Sequence, residues 1–246
     1  MLSGSRMLKR IWISAALMVG LAAPAAAVPV VYTVTSGGVD TAAGCSSHFI
    51  FQYTTCNSGA SLGQEYTQGL PNPAAATGTY TLDDAADTLD VALSVSSLTL
   101  VDLPGGPFNG VDEIVFTGLT YTATGLTVTG TGDGPHNLTL PATISVSGTY
   151  EEFLAGGSVG GPTAFGPMDV DLTAGQCAIV AGAMTCGLTV GAQGFAGSTT
   201  AFELAIGGVN RGFLHQFNTV ALVPEPGTAL LLGLGLAGVA ATRRRR

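Results

Sequence analysis

The sequence predicts an all-β body, a single β-sandwich or jelly-roll-like domain, framed by two short ends of quite different character. Three observations predict it. Leu89, Val91, Leu93 and Val95 alternate with Asp90, Ala92, Ser94 and Ser96, the period-two pattern of a half-buried strand. Gly, Pro, Asp and Asn punctuate the chain at short intervals, which suits many brief strands and turns. Between Val28 and Leu222 no ten-residue stretch carries a helical period.

Taken in order, Val30 to Thr35 reads as a β-branched strand closed by Ser36-Gly37-Gly38, and His48 to Thr54 as an aromatic-rich one. The stretch from Asn57 to Thr77 reads mostly as loop, with Pro71-Asn72-Pro73 as its breaker. Gly78 to Leu82 and Leu89 to Ser96 form a hairpin through the acidic turn Asp83-Asp84-Ala85-Ala86-Asp87. Leu98 to Leu103 is a further strand, ended by Pro104 to Pro107. Ile114 to Thr117 and Leu119 to Thr122 make one extended piece, Leu126 to Thr129 another, and Gly130 to Pro135 a turn. Thr143 to Tyr150 alternates again, and the glycines from Gly156 to Gly166 mark a flexible loop. Met168, Val170 and Leu172 alternate with Asp169 and Asp171. Ala178 to Val180 and Leu188 to Val190 flank Ala181-Gly182-Ala183, and Phe202 to Ile206 and Phe213 to Val220 finish the body. Gly78-Thr79-Tyr80 and Gly148-Thr149-Tyr150 look alike, but their flanks do not, so no internal repeat is read from them.

Residues 1–27 have the build of a cleaved signal peptide. Arg6, Lys9 and Arg10 precede an apolar run from Ile11 to Leu21, and Ala25-Ala26-Ala27 offers small residues for cleavage, leaving Val28 first. Met7 would serve equally as a start. The export machinery of the Sec type is then a partner. Removing the ends changes the charge: residues 28–222 hold one base, Arg211, against 15 acids, a formal charge of −14 with no lysine. A nucleic-acid partner needs a basic footprint and finds none here.

Four cysteines fall in two local pairs, Cys45 with Cys56 and Cys177 with Cys186. Three connectivities are open. An even count in an exported protein favours disulfides, and a hairpin centred on Gly182 would set Cys177 opposite Cys186, so local pairing is expected. His48, His136 and His215 sit in no nucleophile elbow, H-E-x-x-H helix or kinase loop, and there is no Walker or dinucleotide loop. No enzyme and no resident cofactor are expected. The site-like features are acidic: Asp83, Asp84, Asp87 and Asp90 in one cluster, Asp112 and Glu113 in a second, and Asp133 between Gly132 and Gly134 in a third. Carboxylates and loop carbonyls suit calcium. Asp83, Asp84, Asp87 and Asp133 are the candidates, although none matches an EF-hand or a calcium repeat and solvated turns are the simpler reading. Asn137-Leu138-Thr139 fits the glycosylation triplet and is given no role.

The tail, 223–246, has three parts. In the motif Val223-Pro224-Glu225-Pro226-Gly227 the prolines hold an extended, stiff peptide. The 15 residues from Thr228 to Thr242 carry no charge and would span roughly 22 Å as a helix, somewhat short of the ~20 residues of a comfortable crossing. Arg243, Arg244, Arg245 and Arg246 then fix the end on the cytoplasmic side. In this order, Pro224-Glu225-Pro226, the apolar run and the arginines resemble the PEP-CTERM sorting signal. The resemblance implies a Gram-negative source, passage through the inner membrane, processing by an exosortase-like enzyme near Pro224, Glu225 and Pro226, and transfer toward the surface or extracellular matrix. It covers only the tail.

These readings converge on an exported, non-enzymatic surface or matrix protein with a structural or adhesive role. The alternative is a carbohydrate-binding module of the exopolysaccharide matrix. The body has no tryptophan, so Tyr32, Tyr53, Tyr66, Tyr80, Tyr121 and Tyr150 would be its stacking candidates.

Overall fold

The computed structural model describes residues 28–44, 47–48, 51–52, 64–102, 111–130, 132–191 and 202–223. Its strands are β1 (Val30–Gly44), β2 (Ser47–His48), β3 (Phe51–Gln52), β4 (Gln64–Gln68), β5 (Ala74–Asp83), β6 (Thr88–Asp102) and β7 (Glu113–Thr129). They continue as β8 (Gly134–Leu138), β9 (Ala142–Leu154), β10 (Gly157–Ser158), β11 (Thr163–Val180), β12 (Ala183–Val190), β13 (Phe202–Ile206) and β14 (Val209–Leu222). No helix occurs among the described residues, in keeping with the all-β expectation.

The strand order, which the sequence left open, is a closed meander. β1 pairs β5, and the pairing passes through β6, β7, β9, β11, β12 and β14 back to β1, antiparallel at every step. The expected two layers are therefore facing walls of one sheet. A barrel of this strand number is just wide enough for side chains to fill its interior.

Three wall positions are made from two segments each. β4 extends the line of β5 between β1 and β6. β8 extends that of β9 between β7 and β11, and β13 that of β12 beside β14. Pro71 and Pro73 fall between β4 and β5, and Pro141 between β8 and β9. A proline cannot give an N–H to a neighbouring strand, so the ladder breaks there.

Several strands run longer than expected. Ser36-Gly37-Gly38 does not end β1. A Cβ on Gly37 would strike the carbonyl of Asn218, and one on Gly38 the carbonyl of Ala74, so the glycines let β1 continue between two close neighbours. Gly37 also holds φ at +98°, which side-chain-bearing residues rarely adopt. The expected strands at 89–96 and 98–103 are one, β6, because Ser96 and Ser97 are both exposed and the alternation merely shifts phase before Leu98. The loops expected over 57–77 and 156–166 contain β4, β10 and the start of β5 and β11.

The interior is filled by Tyr66, Tyr80, Phe116, Tyr121, Phe202, Phe213 and Phe217, with aliphatic side chains between them. Phe116 packs edge-on to Phe213 at 5.3 Å between centroids, and Tyr121 edge-on to Phe217 at 4.7 Å. The outer wall is instead rich in Thr, Ser and Asp. Thr77, Ser94, Thr120 and Ser147 form one cross-strand row over β5, β6, β7 and β9. Apolar inside and hydroxylated outside is the arrangement of a barrel standing in water; a lipid-facing wall needs an apolar outer band.

Candidate functional site

The feature that ties the barrel to the tail is the rim where β14 ends. Here β14 is sealed on both sides: Leu222 lies opposite Thr33 of β1 and Ala183 of β12, and Ala221 opposite Val34 and Met184. Inside the wall, the Tyr80 hydroxyl and Thr219 Oγ1 share a 2.7 Å hydrogen bond. Burial and that hydroxyl pull the Tyr80 pKa in opposite directions. Burial wins and pushes it up to about 12. Val223 packs against the core, so the next residue, Pro224, follows without any free spacer. Pro224, Glu225, Pro226, the expected membrane helix at 228–242 and Arg243 to Arg246 lie outside the described residues, as do the expected signal peptide, Cys45, Cys56 and Tyr53.

Short turns at 84–87 and 181–182, with Gly132 and Asp133 ahead of β8, complete this rim beside the start of β1. They unite two acidic clusters that are far apart in sequence. The amide of Gly132 reaches Asp84 Oδ2 at 3.3 Å, and the charges of Asp84 and Asp133, after burial itself, raise the pKa of Tyr32. The other acids organise backbone. Asp83 Oδ1 accepts from Ala85 and Ala86 at 2.9 and 3.1 Å, Asp87 takes a left-handed φ of 54°, and Asp90 Oδ1 accepts from Gly125 at 2.7 Å. Asp112 and Glu113 are at the opposite rim, where Asp112 Oδ2 accepts from Ala155 at 2.7 Å. Among the described residues no three acidic, His or Cys side chains form a group that could hold a metal ion. The four calcium candidates thus share one rim without converging on a point.

Cys177 and Cys186 are directly opposite each other on β11 and β12 and are joined by a buried disulfide. His136 and His215 lie inside the wall. His136 Nε2 is 2.9 Å from the Gly132 carbonyl, while His215 Nδ1 meets the Tyr121 hydroxyl. Burial drives the His215 pKa down to about 3, so its ring is neutral. Tyr32, Tyr66, Tyr80 and Tyr121 are buried, and half-buried Tyr150 is tied through its hydroxyl to the Ala205 carbonyl at 3.2 Å. None of these five is an exposed stacking face. Sequence reasoning had no means of finding the interior position of Arg211: its guanidinium lies over the Tyr66 ring at 5.8 Å and donates to the Ile206 carbonyl.

Fold and rim together define a closed meander barrel, aromatic-packed inside and with its acids on the rims, that hands its last strand directly to a hydrophobic tail. Residues 222–246 match the PEP-CTERM protein-sorting motif. The chain therefore carries the address of an exported protein processed by an exosortase-type enzyme, anchored transiently in a membrane and bound for the cell surface. No curated protein and no solved structure matches it.

Proposed function

We propose that the barrel is a non-enzymatic structural or adhesive module, delivered by its tail to the outer surface or extracellular matrix. The observation that carries this reading is the division between an aromatic-packed interior and a hydroxyl-bearing exterior. Seven aromatic rings, each under 2 % exposed, occupy the space where a barrel would otherwise hold a ligand. Outside, rows such as Thr77–Ser94–Thr120–Ser147 present small uncharged groups, linked in part by the 2.7 Å contact between Thr120 and Ser147 hydroxyls. Such a wall can meet hydrated matrix polymers through many weak hydrogen bonds.

A second reading, binding of exopolysaccharide at one defined place, draws on a shallow groove of about 700 Å³ over the outer face of β11 and β12. Thr173, Gln176, Thr185 and Thr189 line it with groups suited to sugar hydroxyls, although no aromatic side chain is among its lining residues.

The test compares cells with and without the processing enzyme. Extracellular protein lacking the four arginines, lost when the enzyme is deleted, supports the sorting reading; extracellular protein that retains them refutes it. The purified barrel on a glycan array then separates the two roles: discrete hits that vanish in Gln176→Ala would replace the structural reading with the carbohydrate-binding one.

A further inference from the structure

Three buried polar side chains, Thr41, Gln68 and His215, converge inside the wall where β4 joins β1. Thr41 and His215 lie directly opposite each other on β1 and β14. The Thr41 N–H points away from β14, to Gln68 Oε1 at 2.8 Å. Thr41 and His215 are therefore an antiparallel pair of the non-hydrogen-bonded kind, in which side chains approach most closely. Gln68 lies one step past the Ala42–Thr67 pair, and its Nε2 donates to the Pro71 carbonyl at 2.9 Å. These two bonds fix the carboxamide, with its oxygen on the Thr41 amide and its nitrogen on Pro71.

Two atoms of the group are left over. Thr41 Oγ1 and His215 Nε2 are both buried, and neither has a hydrogen-bond partner. Such atoms are costly, so two of them side by side call for an explanation. The groups present are those of an acyl transfer: a hydroxyl nucleophile, an amide carbon and an imidazole base. The N–H that holds Gln68 Oε1 belongs to the nucleophile's own residue, the place from which serine-type sites hold an oxyanion. With Nδ1–H donated to the Tyr121 hydroxyl oxygen, His215 Nε2 is bare and can accept the threonine proton. Burial keeps the imidazole neutral, the form a base needs.

We propose that the barrel cross-links itself through an ester between Thr41 Oγ1 and the side-chain carbonyl of Gln68, with His215 as the proton carrier. The Oγ1–Cδ bond forms and the Cδ–Nε2 bond of Gln68 breaks. The Oγ1 proton passes by way of His215 Nε2 to the departing nitrogen, which leaves as ammonia. No electrons are exchanged, and the step draws on no co-reactant. It occurs once per molecule, in a body that turns over no external substrate. Proximity offsets the weakness of the base, because well-oriented intramolecular groups reach effective molarities of about 10⁵–10⁸ M. The burial that keeps water from the transfer also shields the ester from hydrolysis. The bond ties β4, five residues long, to β1 beside the break that Pro71 and Pro73 make in the wall. It does not depend on what the outer wall binds.

The full chain is expressed for export, and the purified product is denatured, reduced and weighed intact. Chymotryptic peptides then locate any cross-link. The expected product is one ammonia lighter than the chain between its sequenced ends. It yields one peptide pair joined through Thr41 and Gln68, which hydroxylamine separates. Thr41→Val and Gln68→Glu should keep the mass their sequences require. His215→Gln, followed from the first minutes after synthesis, should form the link at least about a hundredfold more slowly. Circular dichroism establishes which variants are folded. Wild type at full mass, or lighter without a joined Thr41–Gln68 peptide pair, overturns the inference whatever the variants do. A link formed at the wild-type rate in folded His215→Gln overturns it as well.

Discussion

The hydroxyl of Tyr121, on β7, reaches across the barrel interior to Nδ1 of His215 on β14, joining two strands that are not neighbours in the wall. His215 is fully buried, edge-on to Phe202 at 4.9 Å between centroids and near Phe116 and Phe213, with Thr41 and Val190 on its flanks. Tyr121 is a titratable group that faces it, and burial pushes that phenol well above its ordinary pKa. The pair is neutral at every mild pH, in a setting where a charge would be costly.

Stability should therefore fall with acid. The folded His215 titrates at about 3, whereas the unfolded side chain titrates near 6.5. Between these values the unfolded chain binds the extra proton, so His215 contributes fully above about pH 6.5 and its contribution drains away as pH drops toward 3. The slope attributable to this one group is at most about 1.4 kcal/mol per pH unit. Urea unfolding of wild type and His215→Gln across that window checks it: the difference in slope should disappear above pH 7. Parallel curves throughout would show that the ring is hydrated.

Replacing Tyr121 by Phe keeps the packing against Phe217 but leaves His215 Nδ1 without its hydroxyl partner. Leaving a buried polar atom unsatisfied costs about 1–3 kcal/mol. The denaturation midpoint should shift down accordingly, with the m-value unchanged.

Reduction or removal of the Cys177–Cys186 bridge should destabilise the body without opening the wall. The bridge closes only the short loop through Gly182, and eight cross-strand pairs already hold β11 to β12. A loss of about 2–3 kcal/mol is expected for Cys177→Ala with Cys186→Ala. Circular dichroism of the double variant should retain the β spectrum at room temperature.

Gly38→Ala is predicted to be the more damaging change, although it adds a single methyl group. That methyl would strike the Ala74 carbonyl where β1 passes β5, and backbone cannot step aside as a side chain can. A loss of roughly 2–4 kcal/mol follows. Thermal unfolding compared with Ser36→Ala, an exposed site on the same strand, provides the control.

Local features of this fold could be read from the chain. The hairpin through Asp83 to Asp87 declares itself by alternation and turn chemistry, and the opposition of Cys177 and Cys186 follows from the turn between them. What could not be read was closure. Thr33 and Leu222 are neighbours because the sheet curls, and no local pattern encodes a partner so distant in sequence. β4 was hidden for a different reason: Gln64-Glu65-Tyr66-Thr67-Gln68 has a single large apolar residue and takes its strand form from the gap between β1 and β6. The acidic clusters were legible as clusters, but only folding shows that Asp84 and Asp133 share a rim and that Asp83 spends its carboxylate on its own turn.

The meander closes on an even number of strands, and that parity fixes where the chain enters and leaves. Val28 and Val223 emerge from one rim, on adjoining staves roughly 5 Å apart at the nearest pair. With an odd count, one end would have to travel the height of the barrel to rejoin the other. Here the body closes upon itself while both of its ends leave through the same face, so residues before Val28 and after Val223 attach to one side of the barrel.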